Sequence, residues 1–169
     1  PLFFIFTLMS GHGFHILLNR EDSKKLFAQR EPVAIRDFAA ELTKSADYRK
    51  QGRLLELGDT WNTLHRCLTD GTLDPAGGEP PLNHCFLGGR MLYQGENWFV
   101  TLVRPDMTPY VAEALADVNH EYLQKNYGLI DANDYGRPLS PKDLEKAWVV
   151  FQQIRDFLLL QALTHAAVL

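Results

Sequence analysis

Residues 61–69, WNTLHRCLT, set Trp61, Leu64, His65 and Leu68 three and four positions apart, with Thr69 one turn beyond His65. That spacing draws a single stripe along a helix, and an apolar stripe needs a second surface to cover it. Leu57 extends the series, so the spacing predicts a helix over Leu54–Leu68, stopped by Asp70 and Gly71. The fold then depends on what the flanking sequence can lay against this helix.

Downstream, residues 72–83 (TLDPAGGEPPLN) hold Gly77, Gly78, Pro75, Pro80 and Pro81, a composition that sustains neither helix nor central strand. It is the longest expected loop, and long loops in compact domains are often functional. Arg90–Tyr93 and Trp98–Val103 are β-prone runs around a glycine-containing gap, which predicts a hairpin. Thr108 and Pro109 open a helix expected to run to about Tyr127, with Val111, Leu115, Val118, Tyr122 and Leu123 facing inward. A polar loop, residues 131–138, leads to Ser140, Pro141 and Asp143, a strong start for the last helix, whose stripe includes Leu144, Trp148, Phe151 and Ile154.

Upstream, Phe14–Leu18 reads as a buried strand. A helix should cover Ser23–Arg30, and a second should start at Pro32 with the stripe Val33, Ile35, Phe38, Ala39 and Leu42. Residues 44–53 form a charged surface segment. Strand runs that do not alternate regularly with helices argue against a doubly wound fold. The expectation is a single, helix-rich α+β domain with a small mixed β-sheet built from the Phe14, Arg90 and Trp98 runs.

The order of these pieces resembles the YfbM-like family of bacterial proteins, domain of unknown function 1877. The likeness starts at Met9 in MSGHGFHILLNREDSKKLF and passes through WxxLHxxLT, LGGRMLYQGENWFVTLVRP and the Thr108–Pro109 helix start to the last helix. The resemblance implies a compact α+β domain over residues 9–169 and no established activity. Residues 1–8, PLFFIFTL, have no counterpart in the family opening and are expected to be an extra segment, from an upstream start or an added leader, outside the domain.

Composition narrows the classes. A chain of 169 residues suits one domain, and a net charge of −4 argues against the basic stripe of a nucleic-acid binder. PLFFIFTLM lacks the preceding cation and small-residue cleavage site of an export signal, and neither it nor the C-terminal LLLQALTHAAVL is long enough to span a bilayer. Cys67 and Cys85 lack CxxC spacing and read as buried free thiols, which suits a reducing cytoplasm.

Five residues are candidates for ligand contact: Asp59, Trp61, His65, Thr69 and Arg90. Trp61 is a core or pocket-wall ring, and His65 is either a titrating ligand or a buried fastener. Asp59 resembles the acidic position before the family's Trp; it would cap or charge the first turn of the helix or pair with an indole N–H, and lies too far along the helix to bond His65 directly. Arg90, with Arg104, either grips an anion or protects a sheet edge. No histidine or cysteine spacing matches a metal set, no nucleophile motif is present, and no cofactor is expected.

Two functions follow. The leading one is a non-catalytic binding or interaction protein, whose protein partner or second copy would meet the C-terminal helix, because Leu158, Leu159 and Leu160 are consecutive and cannot all face one core. The other is a small-ligand protein or enzyme with a cleft where Trp61, His65 and the Asp74–Asn83 loop converge.

Overall fold

A computed structural model describes residues 3–166. Its centre is the segment set apart in the sequence: Phe4–Met9 forms strand β1 and His12–Leu17 forms β2. Strands β3 (Leu54–Gly58), β4 (Arg90–Gln94) and β5 (Trp98–Val103) complete a five-stranded sheet in the order β3-β2-β1-β5-β4. Every pairing is antiparallel, so the expected mixed sheet is corrected to a purely antiparallel one. Residues 4–8, which the sequence sets apart as an extra segment, form most of the middle strand β1.

The strand at the centre of this sheet is hard to read from its letters. Strand β1 is buried on both faces: Phe4, Phe6 and Leu8 enter one core and Ile5 the other. Alternation of inward and outward residues is invisible when both directions are apolar, so FIFTLM reads as a continuous hydrophobic run.

Helices cover both sides. On one face lie α1 (Arg20–Ala28), α2 (Pro32–Thr43) and α3 (Ala46–Lys50), closing a core of Ile5, Ile16, Leu26, Ala39 and Val100. Asn19 caps α1 by accepting from the Asp22 amide at 2.7 Å. On the other face lie α4 (Thr60–Leu68), a 3-10 turn at Leu82–Cys85, α5 (Thr108–Ala116), α6 (His120–Tyr127), the short α7 (Ala132–Tyr135) and the long α8 (Pro141–Ala166). Residues 167–169, the end of the C-terminal apolar run, lie outside the described residues, as do residues 1 and 2.

Three helix expectations change. Leu54–Gly58 is strand, because Gly58 takes a left-handed φ of 57° that ends β3 and lets α4 begin afresh at Thr60. The Thr108 helix divides, because the Asn119 side chain accepts from the Tyr122 amide at 2.8 Å and starts α6. Val33 and Tyr122, assigned to inward stripes, are exposed. Ser140 caps α8 as its sequence suggests, accepting from the Asp143 amide at 3.1 Å.

Candidate functional site

Trp61 opens α4 and lies against the β1–β2 turn. Its indole N–H donates to the Gly11 carbonyl at 3.0 Å, and its ring meets Phe6 with centroids 5.6 Å apart. Gly13 lets it approach: a Cβ there would fall 2.9 Å from the Trp61 ring and Cβ. Beside the outer edge of this ring is a cleft of about 220 Å³ walled by Gly11, Asp59, Trp61, Asn62, Tyr135 and Arg137.

Arg137 is the best-anchored charge in the cleft. Its guanidinium lies over the Tyr135 ring, 4.6 Å from the centroid. The inner nitrogen, Nη2, donates to Tyr135 Oη at 2.5 Å and Thr63 Oγ1 at 3.2 Å, and sits 3.1 Å from Asp143 Oδ1. The outer nitrogen, Nη1, reaches Asp59 Oδ2 at 3.2 Å. Lys146 on α8 donates to the other oxygen of the same carboxylate at 2.8 Å, and Asp59 itself is half exposed. The Lys146 hydrogen bond is the main reason the Asp59 carboxyl is held below the usual range, against burial, with Arg137 adding to it.

Behind this pair runs a buried network. Tyr127 and Tyr135 hydroxyls both donate to Asp143 Oδ2, at 2.9 and 2.6 Å, and the Ser140 amide donates to Tyr127 Oη at 3.0 Å. Burial, then the Asp143 hydrogen bond, raises the Tyr135 phenol. Burial works against the Arg137 cation, and its hydrogen bond to Tyr135 and the Asp143 and Asp59 charges more than compensate, so its pKa is raised. The loop carrying α7 is fastened to α4 a second time, where buried Arg66 pairs with Asp134 and donates to Asn62 Oδ1 at 2.9 Å.

The five sequence candidates divide. Asp59 and Trp61 line the cleft. Asp59 stands at the N-cap position of α4, where its charge faces the first turn, but it makes no side-chain cap bond and does not meet the indole; its partners are Arg137 and Lys146. His65 is fully buried behind the helix, edge-on to Phe86 with centroids 6.1 Å apart, and is not a cleft wall. Neither of its ring nitrogens meets hydrogen-bond geometry; the Asp74 backbone lies near enough only to offset part of the burial effect, which lowers the imidazole to about 4. The expected convergence of Trp61, His65 and the Asp74–Asn83 loop is therefore corrected to Trp61 with the 131–138 loop.

Thr69 lies outside the cleft lining. Its hydroxyl donates to the His65 carbonyl at 2.7 Å, and Gly78, at φ 73°, packs so closely that a Cβ would fall 2.7 Å from Thr69 Cβ. Arg90 stands exposed at the start of edge strand β4, two strands from β1, away from the cleft. Asn62, Tyr135 and Arg137 were missed. The only sequence sign of the last two was their place in a polar loop before a capped helix.

His15 is the second deeply buried imidazole, with Nε2 2.7 Å from the Cys85 carbonyl and its ring stacked 5.3 Å from Phe86. Burial lowers it to about 4. Both cysteines are free and buried, and burial pushes the Cys67 thiol up to about 12, removing it as a nucleophile near neutral pH. Among the described residues no three histidine, cysteine or acidic side chains gather as a metal set, and no helix is long and apolar enough to cross a membrane.

The model of a domain of unknown function, DUF1877, matches residues 9–169. The chain belongs to the DUF1877 family. The match agrees with the YfbM-like resemblance and takes in every cleft residue, while the strand that completes this DUF1877 domain begins five residues earlier, at Phe4. No curated protein and no solved structure matches the chain.

Proposed function

We propose that this DUF1877 domain is a binding module that performs no chemistry of its own and recognises a small polar ligand in the cleft beside Trp61. One observation carries the reading: a guanidinium fixed from behind by Thr63, Tyr135 and Asp143 shares the lining of a cleft with Trp61, whose indole is otherwise buried in the core. Side chains held by buried partners lose little freedom when a ligand arrives, which is how recognition sites keep their affinity. A cleft of about 220 Å³ is below the range of drug-sized pockets and suits a small molecule. The two unpaired thiols favour a reducing compartment such as the cytoplasm.

A fragment screen followed by the NMR signal of the Trp61 indole N–H tests this. Binders should move that signal and lose the effect in Arg137→Gln; fragments that perturb only residues away from Asp59, Trp61 and Arg137 would contradict the proposal.

A second reading, self-association through α8, is favoured by Val149, 53% exposed on that helix, and by the graded burial of Leu158, Leu159 and Leu160, the last 65% exposed. Sedimentation at high micromolar concentration should then show a dimer that Val149→Glu dissociates, and a monomer throughout would contradict it.

A further inference from the structure

The cleft's hydrogen-bonding inventory is lopsided. Its acceptors are engaged: the Gly11 carbonyl holds the indole N–H, Asn62 Oδ1 holds Arg66, Tyr135 Oη receives Arg137, and both Asp59 oxygens are taken by Arg137 and Lys146. Donors remain, because the Arg137 guanidinium and the Asn62 NH2 carry more N–H groups than these contacts use, and the Lys146 ammonium, outside the cleft lining, adds more where it meets Asp59.

Asp59 is also the weakest-held member. Its carboxylate is 54% exposed and rests on two half-exposed cations, and solvent screens ion pairs of that kind so that they hold only weakly. Arg137, by contrast, keeps its inner contacts to Thr63, Tyr135 and Asp143 whether or not Asp59 is present. An acid entering the cleft can therefore take the place of the Asp59 carboxylate between Arg137 and Lys146 without dismantling the network behind them.

Resting on the binding reading above, we infer that the ligand is a small carboxylic acid carried on a flat ring, and that Asp59 is a displaceable internal competitor for its site. The carboxylate bridges Arg137 Nη1 and Lys146 with a charge-assisted hydrogen bond to each, and the ring sits in the cleft beside Trp61. Affinity falls with added salt because the cations stand near solvent.

Calorimetric titration of the folded chain with three probes of equal size, benzoate, benzamide and benzamidine, tests the inference, with the Trp61 indole N–H signal reporting location. Benzoate should bind at least about tenfold more tightly than the other two. Asp59→Asn should strengthen benzoate about three- to tenfold, and Lys146→Gln should weaken it about threefold. Lys146 lies outside the buried network, so that variant tests the inference even if Arg137→Gln fails to fold. Benzamide or benzamidine moving the indole signal as tightly as benzoate would overturn the acid and leave the cleft. Benzoate binding that Asp59→Asn leaves unchanged or weakens would overturn the competitor role. Silence of the indole signal to all three would overturn the inference and count against the cleft itself.

Discussion

At the scale of single residues, Gly13 and Trp61 form one unit. The ring reaches the Gly11 carbonyl only because position 13 has no Cβ to meet it at 2.9 Å. Gly13→Ala should force the indole outward and cost about 1 to 3 kcal/mol. Trp61→Ala should cost about 3 to 5 kcal/mol, and Trp148→Ala less, because Trp148 is only partly buried and stacks on Phe151 at its rim. Chemical denaturation checks all three; a Gly13→Ala domain as stable as the parent would show that the ring has room to move.

The two buried imidazoles set the pH dependence. His15 and His65 titrate at about 4 when folded, against an ordinary 6.5 when unfolded, because burial penalises the charged ring. Below pH 6.5 the unfolded chain takes up protons that the folded one refuses, so stability present above 6.5 is lost as pH falls toward 4. Each shift corresponds to roughly 3 kcal/mol over that window. His65→Leu removes an imidazole whose nitrogens lack partners, so it should leave stability at pH 7 unchanged or higher and flatten the acid-side slope. Melting curves of parent and variant from pH 4 to 7 give the answer, and an unaltered slope would place His65 among solvated groups.

At the scale of elements, legibility followed boundaries. The stripe from Trp61 to Leu68 is helix as its spacing indicates, and Ser140 caps α8 as its position indicates. Leu57 continued the same spacing by coincidence, and only Gly58, whose left-handed φ the letters do not display, separates β3 from α4. The cleft was half legible for a similar reason. Asp59 and Trp61 belong to a local pattern, whereas Arg137 and Tyr135 lie more than 70 positions away and arrive through tertiary contacts with Thr63 and Asp59. No periodicity records such a meeting. Ser140→Ala removes the α8 cap and should cost about 0.5 to 2 kcal/mol, measured by urea denaturation. No loss would mean that the Ser140 hydroxyl contributes nothing to holding the helix start.

At the scale of the molecule, β1 ties the two cores together, since its side chains enter both and it pairs with β2 on one side and β5 on the other. A chain begun at Met9 would keep the whole family match and lose this strand, leaving two sheet halves with unpaired edges. It should be recovered unfolded or aggregated, and a cooperatively melting product would show that β1 is dispensable. The cleft depends on the same assembly, because the β1–β2 turn supplies Gly11, α4 supplies Trp61 and the loop before α8 supplies Arg137. The most direct measurement is a crystal structure of the Asp59→Asn protein grown with benzoate. The account predicts the carboxylate between Arg137 and Lys146 with its ring in the cleft beside Trp61; benzoate bound elsewhere, with the cleft holding only solvent, would contradict it.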